Sequence, residues 1–205
     1  SRLFHQELNE YIRFFTAGFL FWNFISTSLL ESAEIFRTNS SFIKQINLPY
    51  NIYILQHIVR QTILLMHNLV VYILVCIYFQ FSPGLNSLLA IPGFLLLAVN
   101  VYWISFFAAI ICSRFRDMVP IINSCVQIAF FITPISWMPR LLDQNPGVLK
   151  FNPLSYLLDI VRSPLLGIAP AEISWHVTSI TAVVGLIVTF WLFSSTRSRI
   201  AFWVD

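Results

Sequence analysis

The chain has 205 residues, of which 58 % are apolar and only 10 % are charged, and its formal net charge is +3. Soluble domains average about 25 % charged residues, so this composition excludes an ordinary soluble fold. The 20 Phe, 7 Tyr and 6 Trp exclude a disordered chain, and no basic run suggests nucleic acid as a partner. The class that remains is an integral membrane protein.

Five apolar segments are long enough to cross a bilayer, which takes about 20 residues of helix. They cover residues 11–30, 52–81, 88–112, 118–138 and 173–195. None of them alternates in polarity as the strands of a membrane β-barrel do. Because the segments fill more than half of the chain, we predict one all-α membrane domain over residues 1–205.

Basic residues near the span ends predict the orientation, because short cytoplasmic loops are enriched in Lys and Arg. They fall in the loop 31–50 (Arg37, Lys44), in the link 113–117 (Arg114, Arg116) and in the tail from residue 197. The turn between the second and third spans carries none. We therefore expect a cytoplasmic C-terminus and an N-terminus outside. Since no signal peptide opens the chain, this predicts a missing span before Ser1 and six spans in the parent protein.

The second span is polar at one end, where Gln56, His57, Arg60 and Gln61 recur at helical spacing. Such a face lines a polar conduit or subunit contact, or it makes ordinary hydrogen bonds between helices, and both interpretations stay open. We expect Arg60 to extend its charged head to the membrane interface. No Asp or Glu lies well inside any span, which disfavours transporters driven by an intramembrane carboxylate.

The first span mixes aromatic and small polar residues, among them Trp22, Asn23 and Ser26. Aromatic faces with scattered hydroxyl groups suit the stacking of sugar rings, which would make these residues part of a conduit. Aromatic side chains also face lipid or anchor a helix at the interface, so this alternative is kept.

Cysteine and histidine spacing points away from metal chemistry. The three cysteines form no CxxC pair and the four histidines form no HxxxH pair, so we expect neither a metal site nor a disulfide framework. We interpret Cys76, Cys112 and Cys125 as small buried hydrophobic residues.

The segment between the fourth and fifth spans predicts a short amphipathic helix. Asn152 and Pro153 form a helix-start signal. The apolar positions are Leu154, Leu157, Leu158 and Val161, and the opposing polar stripe is Ser155, Asp159 and Arg162. We expect the helix to stop before Pro164, and the spacing of Asp159 and Arg162 allows an ion pair. Two such helices, at 140–149 and 153–163, would re-enter from outside as a gate; the alternative is a helix lying flat on the membrane.

Several stretches together resemble one known family. They are GFLFWNFIS at 18–26, SAEIFRTNSSFIKQINLP at 32–49, SRFRDM at 113–118, FFITPISWMP at 130–139, FNPLSYLLDIVRSPLLG at 151–167 and SRIAFWV at 198–204. In these the chain resembles the permease subunit of ABC-2 type transporters, in the branch that exports polysaccharides such as O-antigen, capsule and teichoic acid. The family begins with an interface helix and a first span, and neither is present here.

The resemblance implies a six-span α-helical subunit of the cytoplasmic (inner) membrane, paired with a second copy and docked on two ATP-hydrolysing subunits. It implies a lipid-linked glycan as substrate and no cofactor on this chain. No G-x-x-x-x-G-K-[ST] loop is present, so ATP chemistry would belong to the partner. The ATPase contact would map to the loops 31–50 and 113–117, with Arg37, Lys44, Arg114, Arg116 and Asp117, and the outer gate to 140–149 and 153–163.

Two other classes of function are compatible with the sequence. A membrane-embedded glycosyl or acyl transferase would need a cluster of His, Asp or Glu near an interface, and His57 with Arg60 is the only weak candidate. A non-catalytic membrane assembly subunit would need no such cluster.

Overall fold

The computed structural model describes residues 2–45, 48–82, 84–137 and 152–203. Within these ranges the chain forms eight α-helices and one 3₁₀-helix, and no strand. The helices are α1 (Arg2–Ser32), α2 (Ile35–Thr38), α3 (Ser40–Gln45), α4 (Tyr50–Tyr78), the 3₁₀-helix (Leu85–Leu89), α5 (Ala90–Arg114), α6 (Met118–Ile132), α7 (Pro153–Leu165) and α8 (Glu172–Trp203). The predicted all-α class is confirmed.

Three segments in the described part of the chain are long and apolar enough to cross a membrane, judged by length and composition: Tyr50–Tyr78, Leu85–Arg114 and Glu172–Trp203. They correspond to the second, third and fifth predicted spans. Helix α1 has 31 residues, which is about 46 Å at 1.5 Å per residue. Helix α1 is not one of these three segments, and Arg13 and Asn23 interrupt its apolar stretch. That it crosses the membrane stays a prediction.

Helix α5 is the centre of the bundle and contacts α1, α4, α7 and α8. Its closest approach to α8 is at Gly185, where an added Cβ would stand 2.1 Å from the ring of Trp103. Small residues let membrane helices come this close, and dispersion contacts then hold them together. The close packing of α5 against α8 therefore requires a glycine at position 185, because any larger residue would collide with Trp103.

A buried amide joins the same two helices. Asn100 on α5 donates to the Thr178 carbonyl of α8 at 3.1 Å. Its own carbonyl oxygen accepts hydrogen bonds from Thr181 Oγ1 at 3.0 Å and from Trp103 Nε1 at 3.1 Å. The fully buried Asn100 amide therefore has partners on both sides, as a polar group away from water requires.

The bundle has two ends, which we name the Glu31 end and the Asp159 end after one residue in each. The Glu31 end holds the end of α1, α2, α3, the start of α4, the link from α5 to α6 and the end of α8. The Arg114 guanidinium lies 5.0 Å from the Trp203 ring centroid there. The Asp159 end holds the end of α4, the 3₁₀-helix, residues 133–137, α7 and the start of α8. Both predicted cation-rich loops thus lie at one end.

Four predicted boundaries are corrected. Helix α6 ends at Ile132 and not near residue 138, because Pro134 forces Thr133 into an extended conformation with ψ 137°. Helix α7 continues through Pro164 to Leu165. The predicted tail from residue 197 is helical as far as Trp203, and the loop 31–50 folds into α2 and α3. The predicted helix at 140–149 lies outside the described residues.

Candidate functional sites at the two ends of the bundle

Helix α7 begins and ends with strong local signals. The Asn152 side chain caps the first turn by accepting from Leu154 N at 3.0 Å, which confirms the predicted start. At the other end Gly167 has a φ of 80°, and Ile168 N donates to the Ser163 carbonyl at 2.9 Å. These bonds form a Schellman motif, in which the residue after the helix adopts a positive φ, and glycine does so without strain. The ends of α7 are therefore fixed by its own sequence.

Pro164 inside α7 explains how this helix packs on α5. Because proline has no N–H, the Ile160 carbonyl loses its partner within the helix. That carbonyl lies against Gly93 of α5, where an added Cβ would be 2.3 Å from the oxygen. Leu157, Leu158, Ile160 and Val161 are at most 3 % exposed. Helix α7 is thus packed among α1, α5 and α8, and its position relative to the membrane stays a prediction.

Arg162 is buried, although it belongs to the predicted polar stripe of the helix. Its Nη1 donates to the Pro134 carbonyl at 2.5 Å, and its guanidinium lies 4.0 Å from the Phe14 ring centroid. Burial lowers the pKa of the Arg162 guanidinium to about 10, which leaves it charged at neutral pH. The ion pair with Asp159 that the spacing allows does not form. Arg162 instead donates a hydrogen bond to the Pro134 carbonyl, which has no partner in α6 because that helix ends at Ile132.

Asp159 connects α7 to the start of α8. Its carboxylate accepts from Ser163 Oγ at 2.5 Å, from Ser174 Oγ at 2.6 Å and from Ala171 N at 3.4 Å. Ala171 directly precedes α8 and Ser174 lies in its first turn, so the carboxylate stands at the N-terminus of that helix, where a negative charge is favourable. The third member of the predicted stripe, Ser155, is buried as well. The stripe is therefore a set of packing contacts, and a gating role for α7 stays a prediction.

A polar cluster at the Glu31 end joins α1 to α4. The Glu31 carboxylate forms an ion pair with Arg60 and accepts from Gln61 Nε2 at 2.9 Å. His57 donates from Nε2 to the Ser28 carbonyl at 3.0 Å and is buried. The Nε2 side of its ring is therefore engaged in helix packing, and its Nδ1 lies 3.8 Å from the Glu31 carboxylate. Arg60 keeps 61 % of its side chain exposed, in agreement with the expected position at an interface.

The predicted conduit residues of α1 make contacts inside the bundle. Trp22 is 6 % exposed and its ring centroid lies 5.9 Å from that of Phe130 on α6. Asn23 and Ser26 are half-buried, and Ser26 Oγ donates to the Asn23 carbonyl at 3.2 Å within α1. A role of these residues in a conduit stays a prediction.

One aromatic face of the first predicted span is formed by three residues of α1. Tyr11, Phe15 and Phe19 stack along the helix with ring centroids 6.0 and 5.5 Å apart. Tyr11 and Phe19 are exposed, and Tyr11 donates to the Ser136 carbonyl at 2.9 Å. We call these three residues the aromatic ladder. They recur every four positions, so that they lie on one face of the helix.

The five predicted coupling residues all lie at the Glu31 end. Arg37 on α2 pairs with Glu34 at 2.6 Å, and Lys44 lies in the last turn of α3. Arg114, Arg116 and Asp117 are exposed in the link between α5 and α6. Helix α2 contacts α5, and α3 contacts α8. The two loops therefore lie at the same end of the bundle, and we call these five residues the coupling surface.

One of the three cysteines departs from the expectation. Cys76 and Cys112 are buried, as small hydrophobic residues should be, whereas Cys125 on α6 is exposed.

The fold and these two ends define an all-α, multi-pass membrane protein whose polar connections gather at one face. The sequence profile of the ABC-2 type transporter family matches residues 3–166, which is most of the chain. The chain therefore belongs to the ABC-2 type transporter family and is a membrane component of an ABC transporter. A comparison with curated proteins finds no match.

Proposed function

We propose that the chain is the membrane-spanning subunit of an ATP-driven exporter, which moves a lipid-linked polysaccharide across the cytoplasmic membrane. It would act as a homodimer of six-span subunits with a cytoplasmic C-terminus. The membership in the ABC-2 family supports the class of transporter, and the aromatic ladder on α1 is the observation that carries the choice of substrate.

A separate ATP-binding cassette subunit would dock at the Glu31 end. Residues 1–205 contain no phosphate-binding loop, and in this proposal the partner supplies the energy. The link Ser113–Asp117 is so short that it must move together with α5 and α6. A partner that engages Arg114, Arg116 and Asp117 would therefore act directly on two helices of the bundle.

The aromatic ladder supports a glycan as the transported group. The faces of pyranose rings are rich in C–H groups and stack on aromatic rings, while their hydroxyl groups stay hydrated. Tyr11, Phe15 and Phe19 offer such rings at regular steps along α1. A series of equal, weak stacking sites suits a polymer that must slide, because no single position holds it tightly.

The test is transport and ATP hydrolysis by the purified complex of the full-length chain with its ATPase. A lipid-linked polysaccharide should stimulate hydrolysis and appear on the far side of proteoliposomes. Phe15→Ala and Phe19→Ala should each slow transport about two- to tenfold, the range that one aromatic contact represents. Phe202→Ala is the matched control, since Phe202 is 78 % exposed on α8 and lies outside the ladder. Unchanged transport in both ladder variants would contradict the proposed substrate class.

A further inference from the structure

The Asp159 carboxylate divides its two oxygens between two helices. Oδ1 accepts from Ser163 Oγ, one turn further along α7, at 2.5 Å. Oδ2 accepts from Ser174 Oγ of α8 at 2.6 Å and from Ala171 N at 3.4 Å. One oxygen is therefore bonded within α7, and the other is bonded across to the start of α8.

The bond between Asp159 and Ser174 is a strong one for its kind. Ser174 is 2 % exposed and Asp159 is half-buried, so water competes little for the bond. A hydrogen bond to a carboxylate is about twice as strong as one between neutral groups, and low polarity around it strengthens it further. The contact therefore resists displacement of one helix along the other.

The other buried side chains of α7 do not fix its register in the same way. Leu157, Leu158 and Val161 are apolar and at most 3 % exposed. Apolar packing is not directional, so it tolerates small shifts of one helix along another. A hydrogen bond requires a donor–acceptor distance near 3 Å and a narrow range of angles. The Asp159 contact therefore selects one position of α7 against the first turn of α8.

The connection between α7 and α8 is too loose to fix that position by itself. Residues 166–171 join Leu165 to Glu172, and Ile168 in this connection is exposed. A chain of this length reaches about 20 Å when extended, so it would allow the helices to shift by several ångströms. The relative position of α7 and α8 is therefore set by contacts between the helices.

We propose that Asp159 is a positioning residue that holds α7 and the first turn of α8 in one register, so that the two move as a single unit during the transport cycle. Ser174 is its partner across the contact, and Ser163 orients the carboxylate. A displacement of α8 then carries α7 with it. The identity of the transported substrate plays no part in this role.

The first measurement is the distance between α7 and α8 in the complex of the full-length chain with its ATPase. Spin labels are attached to Pro153→Cys and His176→Cys, both at exposed positions, in a variant without the native cysteines. Paramagnetic resonance should give the same distance with and without nucleotide. Ser174→Ala should broaden the distance distribution or make it depend on nucleotide. Ser163→Ala is the matched control, because it removes a hydrogen bond to the same carboxylate within α7 and should leave the distance unchanged.

The second measurement is the glycan exported per ATP hydrolysed, and this arm alone rests on the proposed function. Ser174→Ala should lower the ratio about tenfold, the effect of losing a hydrogen bond to a charged group. Ser163→Ala should lower it by no more than about twofold, because side-chain pairs within one helix contribute little. If the parent complex exports no glycan, the proposed function fails, and the distance measurement decides the role of Asp159.

A second pair of variants keeps the test decisive if Ser174→Ala does not fold. Asp159→Asn removes the charge and one acceptor oxygen, and it should change both the distance and the ratio. Glu172→Gln makes the same change of charge at an exposed position in the first turn of α8, and it should change neither. Equal effects within either pair of variants would overturn the proposal. A distance that depends on nucleotide in the parent chain would overturn it as well.

Discussion

The guanidinium of Arg162 lies 4.0 Å from the Phe14 ring centroid and donates to the Pro134 carbonyl, so that one side chain joins α7, α1 and the end of α6. The carbonyl is available because Pro134 ends α6 two residues after Ile132. A charge is tolerated in this buried position because both the ring face and the carbonyl are negative.

Replacing Arg162 should therefore destabilise the bundle. Arg162→Met keeps much of the volume but removes a charged hydrogen bond and a desolvated cation–π contact, with an expected loss of about 2–4 kcal/mol in the free energy of unfolding. Unfolding in mixed micelles measures it, with Arg199→Met on the exposed face of α8 as the control. A Met variant more stable than the parent would mean that desolvation of the arginine outweighs its contacts.

Gly93 should not accept even one additional carbon. Gly93→Ala would put a Cβ 2.3 Å from the Ile160 carbonyl oxygen, so α7 must move away from α5. We expect a loss of about 1–3 kcal/mol, typical of overpacking. Gly84→Ala is the control, because an added Cβ there meets nothing within 4 Å. Equal melting temperatures for the two variants would argue against the close contact of α5 with α7.

Gly185 and Trp103 should show strong coupling in a double-mutant cycle. Gly185→Ala alone collides with the indole ring at 2.1 Å, and Trp103→Leu alone leaves a cavity and removes the hydrogen bond to Asn100. In the double variant the smaller leucine gives room to the new methyl group. The combined loss should be smaller than the sum by about 0.5–3 kcal/mol, and simple additivity would show that the two side chains do not share space.

We expect the link between α5 and α6 to couple ATP hydrolysis by the partner subunit to transport. Arg116→Glu in the full-length protein reverses one charge of a surface that a partner would contact, without touching the core. We expect normal membrane insertion and ATP hydrolysis that no longer drives transport. The measured quantity is glycan exported per ATP hydrolysed. Normal export by this variant would remove Arg116 from the coupling surface.

The gating role of α7 should appear in the accessibility of Leu158. This residue is fully buried, so Leu158→Cys in a cysteine-free background should resist a membrane-impermeant thiol reagent without nucleotide. Labelling should increase when nucleotide drives the transport cycle. Pro153→Cys, at the exposed start of α7, is the control and should label in both states. Protection of residue 158 in every nucleotide state would make α7 a static part of the bundle.

The sequence predicted the helices well where local chemistry decides them. The apolar lengths of the second, third and fifth spans and the Asn152 cap required no knowledge of neighbours. Predictions failed where a distant element decides. Arg162 looks like a solvated residue on a helical wheel, because the Pro134 carbonyl and the Phe14 ring come from other parts of the chain. In the sequence Pro164 predicts a helix end, because proline leaves the Ile160 carbonyl without its partner in the helix. The helix continues because Gly93, on another helix, leaves room for that carbonyl.

The polar cluster at the Glu31 end could not be predicted for the same reason. Glu31 and Arg60 lie 29 positions apart, and nothing in either segment indicates that they form an ion pair. The aromatic ladder is the opposite case, because its four-residue repeat is visible in the sequence.

Helix α8 has a mechanical consequence that follows from its length and its two attachments. Its 32 residues span about 48 Å, and a helix of this kind changes length very little under load. At one tip the Trp203 ring lies under Arg114, next to the link between α5 and α6, and at the other tip Ser174 is held by Asp159 of α7. A shift of this helix along its axis at the Trp203 tip would therefore displace the Ser174 tip by a similar distance.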